Sequence, residues 1–110
     1  MHVLFVCSAN KDHSATAEEM AMDLWPTHTY GSAGTNQKLC FQYGTQYINQ
    51  ELINDSDLIL VMENKHKKSI LKTFGTNHGS KIKVLNIKDH YEYGNAELKE
   101  ILKEKLAVYL

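Results

Sequence analysis

Val3-Leu4-Phe5-Val6-Cys7-Ser8-Ala9-Asn10-Lys11-Asp12-His13-Ser14-Ala15-Thr16-Ala17-Glu18-Glu19 decides the fold. Its first four residues form a short, unbroken apolar run of the kind buried on both faces of a parallel sheet. Alanine-rich sequence follows, with Ala17, Met20, Ala21 and Leu24 at helical spacing, so a strand over 2–6 must turn into a helix over about 14–24. Cys7 stands at that junction, where backbone N–H groups of a tight loop and of a helix N-terminus converge. Such a place favours negative charge, both on a bound anion and on a cysteine thiolate. The stretch therefore reads as a nucleophile held in a cradle for phosphate; the plain alternative is a buried thiol at a strand end.

Working outward, apolar runs and helical stripes alternate to the end of the chain without repeat, linker or low-complexity tract. This pattern predicts an α/β domain with a four-stranded parallel sheet and helices on both faces, in flavodoxin-like winding. Ser14 or Thr16 is expected to cap the first helix, and Trp25-Pro26 to end it. A second strand is expected around 28–32, closing in a turn at Gly31-Ser32-Ala33-Gly34. Residues 39–53 read as one helix with Phe41, Tyr47, Ile48 and Leu52 inward, and 57–62 as the clearest strand. Asn64 is expected to cap a helix over 65–74 that stops at Gly75, its lysines forming a solvated face. A fourth strand over 82–87, a polar loop over 88–94 and a helix capped at Asn95 complete the chain. The ends of the first and fourth strands would bring Cys7 and Asp89 to one crevice.

The 110 residues suffice for one domain spanning 1–110. A formal net charge of −1 carries no electrostatic footprint for nucleic acid or an anionic membrane. The N-terminal apolar run is too short for a signal peptide or membrane span, which makes a cytoplasmic location the expectation. Cys7 and Cys40 are too few for a disulfide scaffold and too far apart for a metal knuckle. Cys40 reads as a small core residue, with a redox partner for Cys7 as the alternative. No Gly-x-x-x-x-Gly-Lys-Ser/Thr sequence occurs, which excludes that nucleotide-binding loop. No metal or cofactor is implied, because the histidines are scattered. All 12 residues of the Lys/Arg set are lysine. The chain thus has no guanidinium fork of its own.

Cys7 to Ser14, Thr16-Ala17-Glu18, the Gly31-Ser32-Ala33-Gly34-Thr35 segment, the Asp57–Met62 run and a late Asp-x-Tyr at Asp89-His90-Tyr91 occur in the order found in low-molecular-weight protein tyrosine phosphatases. The chain resembles that family over nearly its whole length, and most of all the short predicted tyrosine phosphatases of bacteria. The resemblance implies phosphomonoester hydrolysis through a phosphocysteine, with phosphate or a phosphotyrosine-type group as ligand. It makes Cys7 the nucleophile, Asn10 the residue that shapes the loop, Ser14 the partner of the thiolate and Asp89 the general acid. Ser8, Ala9, Asn10, Lys11, Asp12, His13 and Ser14 would form the phosphate-binding loop. Tyr91, with Tyr93, reads as lining the mouth of the substrate cleft, with simple cover of the last helix as the plain alternative.

Three positions depart from the pattern. His90 replaces a proline, Ala9 stands where many members have glycine, and His13 occupies the position of the arginine. Arginine there offers two parallel charged donors to phosphoryl oxygens, whereas an imidazole offers one toward any given point. Loss of two charge-assisted bonds at roughly 1.5–3 kcal/mol each slows chemistry by about two to four orders of magnitude. Lys11 or a protonated His13 would restore charge without the fork. The missing arginine favours a second reading, a phosphatase-like module that binds phosphate or a phosphorylated partner without turnover. A catalytic variant of the same scaffold, arsenate reduction, ranks lower because Cys40 alone is available as a resolving thiol.

Overall fold

The computed structural model describes residues 1–88 and 91–110. β1 (His2–Cys7) lies second in a four-stranded, wholly parallel sheet with β2 (Thr29–Gly34), β3 (Leu58–Val61) and β4 (Ile82–Val84), in the order β2-β1-β3-β4. Strand alternation sends Val3, Phe5 and Cys7 to one face, where α1 (His13–Leu24) and α5 (Ala96–Leu106) cover them with Ala17, Ala21, Leu98, Leu102 and Leu106. Leu4 and Val6 point to the other face, against Ile53 of α3 (Gln50–Asp55) and Ile70 of α4 (Asn64–Phe74). Val3 to Val6 are all fully buried, as a strand covered on both sides requires. The chain runs from β1 to β2 on one side and then crosses β1 to reach β3. The carboxyl end of β1 is consequently a switch point, where open α/β sheets leave a crevice.

The expected α/β class and sheet are therefore present, and several local expectations are corrected. Gly31 to Gly34 belong to β2, because each pairs with a β1 residue, ending in Cys7 opposite Gly34. Residues 39–53 do not form one helix. α2 (Gln37–Tyr43) stops at Gly44 in a left-handed conformation, φ 66°, and α3 starts afresh after an Asn49 cap. Between them the chain bonds to the sheet edge: Gly34 N–H donates to Gln46 O and Ile48 N–H to Gly34 O. Those two ladder bonds satisfy backbone groups that a continuous helix would have left away from the sheet. Phe41, expected inward, is 90% exposed, while Cys40 and Ile48 are buried.

Caps also differ. α1 begins at His13 with Asp12 as its N-cap, and neither Ser14 nor Thr16 serves as one. Thr16 lies inside the helix, where its hydroxyl donates to Asp12 O at 2.6 Å. α4 is capped by Glu63 rather than Asn64. β3 and β4 are shorter than the apolar runs that contain them, and Leu85 and Ile87 continue as buried coil. The Trp25 stop of α1, the Gly75 stop of α4 and the Asn95 cap of α5 stand as expected. No helix among the described residues is long and apolar enough to cross a membrane.

Candidate active site

The eight residues from Cys7 to Ser14 link β1 to α1. Three of their carbonyls are drawn outward: Thr35 N–H donates to Cys7 O at 2.9 Å, Asn36 N–H to Ser8 O at 2.9 Å, and the Thr45 hydroxyl to Ala9 O. A planar trans peptide points its N–H opposite its C=O. Tying those carbonyls to the β2–α2 connection and to Thr45 therefore turns the N–H groups of Ser8, Ala9 and Asn10 to the inner side of the loop. Asn10 N–H shows this directly, reaching Cys7 Sγ at 3.2 Å.

Asn10 makes the turn possible. Its φ is 52°, a left-handed conformation that asparagine tolerates better than most residues. Its Nδ2 donates to Ser32 O at 3.4 Å, which orients the amide so that Oδ1 accepts the Ser14 hydroxyl at 2.7 Å. Ser14 Oγ lies 3.0 Å from Cys7 Sγ. With the Ser14 proton on Asn10, a Cys7 thiol donates to Ser14 Oγ. Once Cys7 ionises, Ser14 can turn its proton to the sulfur and join the Asn10 N–H as a second donor. Cys7, Ser14 and Asn10 thus form one hydrogen-bonded unit at the end of β1, with Cys7 and Ser14 buried and Asn10 half-buried.

His13 opens α1 and is 1% exposed, its ring meeting Tyr91 edge-on with centroids 6.3 Å apart. Lys11 is exposed, with its ammonium 5.1 Å from the centre of the Tyr43 ring. The cleft outside Cys7 is small, about 160 Å³, and is bounded by the loop together with Leu39 and Tyr43 of α2. Tyr91, expected to line it, is not among the described lining residues. Tyr91 packs against the α1/α5 core, and burial together with Glu97 pushes its phenol up. Asp89 and His90 lie outside the described residues.

Asp12 and Thr16 join the loop to the 91–95 segment. Asp12 Oδ1 accepts Tyr93 N–H and Thr16 Oγ1 accepts Gly94 N–H, both at 3.0 Å. Cys40 sits under the loop, 1% exposed, and burial pushes its thiol up, with Cys7 acting in the same direction. Among the described residues, no group of three histidine, cysteine or acidic side chains is placed to hold a metal. The outer ring of the site was not legible in the chain. Leu39, Tyr43, Thr45 and His66, whose Nε2 lies 3.0 Å from Ser8 Oγ, carry no motif, and the one usable signal is the three-residue spacing of Glu63 and His66.

The four-stranded, wholly parallel sheet covered by helices on both faces is the fold of several solved phosphatases. No family model and no curated protein matches the sequence. A YwlE mutant from Bacillus subtilis aligns over 98% of this chain and 97% of its own, at 23% identity and a TM-score of 0.73. The low-molecular-weight protein tyrosine phosphatase of T. tengcongensis covers 100% of this chain and 99% of its own, at 23% identity and a TM-score of 0.73. Wzb of Vibrio vulnificus in complex with benzylphosphonate aligns over 98% and 95%, at 20% identity and a TM-score of 0.80. The chain has the fold that these proteins share.

Proposed function

We propose that the chain is a cysteine-dependent phosphatase whose turnover is slow for want of an arginine, acting on phosphomonoesters of the aryl type. The observation that carries this reading is the hydrogen bonding of Cys7 Sγ by Asn10 N–H and Ser14 Oγ, within a loop whose carbonyls are tied outward. An oxyanion seated there meets several N–H donors, and the sulfur below it is held for attack on phosphorus. The benzylphosphonate bound by Wzb, a protein of this fold, is in keeping with an aryl phosphate ligand.

In the proposed reaction the Cys7 thiolate forms an S–P bond as the ester P–O bond breaks. Asp89 gives its proton to the leaving oxygen. Water then attacks the phosphocysteine, passing a proton back to Asp89 and releasing phosphate and the thiolate. His13 stands where two equatorial oxygens want a fork, and a neutral imidazole meets one of them at most. Lys11 supplies charge at the cleft mouth, while its stacking on Tyr43 holds it to one side.

The absence of arginine supports a second reading, a module that holds phosphate or a phosphorylated partner without turnover. Arsenate reduction is disfavoured, since a resolving thiol must reach the adduct and Cys40 is buried with its thiol pushed up. The test is hydrolysis of an aryl phosphate by the wild type and Cys7→Ser between about pH 5 and 8, where histidine changes charge. Cys7-dependent turnover that grows as pH falls through the imidazole range supports the phosphatase. No turnover above Cys7→Ser, with phosphate still shielding Cys7 from alkylation, supports the binding module.

A further inference from the structure

His66, in the first turn of α4, is 1% exposed and makes contact with two different parts of the molecule. Its Nδ1 accepts the Glu63 N–H at 3.0 Å, and the Glu63 carboxylate accepts the His66 N–H, so the pair forms a capping box with histidine in the place usually held by Glu or Gln. An imidazole nitrogen that accepts from a backbone N–H carries no proton, which puts the proton of the neutral ring on Nε2. That atom lies 3.0 Å from Ser8 Oγ. Nε2–H is therefore the donor and Ser8 the acceptor, and Ser8 keeps its own proton for another partner.

Ser8 is the residue after Cys7. Its carbonyl is held by Asn36 from one side and its hydroxyl by His66 from the other. We propose that His66 is a positioning residue for the anion cradle: acting through Ser8, it fixes the peptides that follow the nucleophile so that their N–H groups converge on a phosphate. The inference rests on reading the 7–14 loop as a phosphate site. It adds α4 to the elements that build it.

Two substitutions isolate the Ser8 contact. In His66→Asn the side-chain oxygen replaces Nδ1, keeping the acceptor for Glu63 and cutting Ser8. In His66→Gln the terminal amide N–H replaces Nε2–H, keeping the donor to Ser8, while its oxygen can accept the Glu63 N–H as in the usual box. Both lose the packing of the ring and melt lower, so melting alone does not discriminate. The readout is the concentration of inorganic phosphate that halves iodoacetamide alkylation of Cys7, followed by peptide mass spectrometry well below the melting point of every variant.

The midpoint in His66→Asn and in Ser8→Ala is expected to rise about tenfold, the scale of one buried hydrogen bond. His66→Gln stays close to wild type, and the Ser8→Ala/His66→Asn double variant is no weaker than either single variant. Equal midpoints for the Asn and Gln variants, additive effects in the double variant, or midpoints that follow melting temperature overturn the inference alone. A wild type without phosphate protection overturns the anion-site reading and the inference with it.

Discussion

Gly34→Ala tests whether the 7–14 loop is held in shape from beneath. Gly34 closes β2 opposite Cys7, and its backbone is not left-handed, so its requirement is space rather than conformation. A Cβ built there falls 2.5 Å from both Cys40 Sγ and Ser8 O, and 3.0 Å from the Ala9 carbonyl carbon. Cβ contacts under 3.0 Å are essentially never seen, so the Ser8 carbonyl must retreat by at least the difference between 2.5 and 3.0 Å. That carbonyl is backbone, and it is bonded to Asn36 N–H at 2.9 Å. Its movement turns the 8–9 peptide and swings the Ala9 N–H out of the cradle.

Overpacking costs about 1–3 kcal/mol, and weakening of one hydrogen bond adds about 1 kcal/mol. At roughly 4–8 °C per kcal/mol for a domain of this size, the melting temperature should fall by about 8 °C or more. Gly31→Ala, on the same strand, is the control. Its Cβ meets Leu4 Cδ1 at 3.5 Å and His2 Nε2 at 3.7 Å, ordinary contacts that leave stability within about 1 kcal/mol. Thermal unfolding and phosphate protection of Cys7 are measured on both variants. If Gly34→Ala melts like Gly31→Ala and protects Cys7 like the wild type, the argument that Gly34 seats the loop is refuted.

His13→Arg should raise Cys7-dependent hydrolysis of an aryl phosphate by at least about a hundredfold, since it restores two charged donors worth roughly 1.5–3 kcal/mol each; an unchanged kcat would place the deficit elsewhere in the loop. Asp12→Ala removes the acceptor of Tyr93 N–H at a half-exposed site. A loss of about 1 kcal/mol and faster amide exchange at Tyr93 and Gly94 are expected, with Asp12→Asn recovering most of both. Burial holds the Cys40 thiol above its ordinary range, so the folded chain keeps a proton that the unfolded chain releases. That stabilisation is complete below the unfolded thiol pKa and is lost as pH rises beyond it. The urea midpoint should therefore drop between about pH 8 and 10, and drop less in Cys40→Ala; parallel pH profiles would contradict it.

The class of fold and the placement of Cys7 were legible because their signals are local. A continuous apolar run must be buried on both faces, and a cysteine between it and a helical stripe can lie only where strand becomes helix. Asn10 and Ser14, within seven residues of Cys7, reach it by the short turn alone. Helix stops at Trp25 and Gly75 and the Asn95 cap were legible for the same reason, each being set by a few neighbouring residues.

Tertiary structure decided what competes over distance. Glycines that locally resemble a turn became strand because β1 offered Gly31 to Gly34 a parallel partner, and Gly34 had to be small to admit the Ser8 carbonyl. Residues 44–49 gave up helix for bonds to the sheet edge, which turned Phe41 outward and placed Cys40 beneath the loop. Ser8 and His66 are 58 positions apart, and only the sheet, which packs α4 on β3 and β4 and sets β3 beside β1, brings them together. Sequence alone determined where Cys7 lies, because strand and helix signals on either side of it are local; packing of distant segments, through hydrogen bonds no local pattern encodes, decided what holds the loop around it in place.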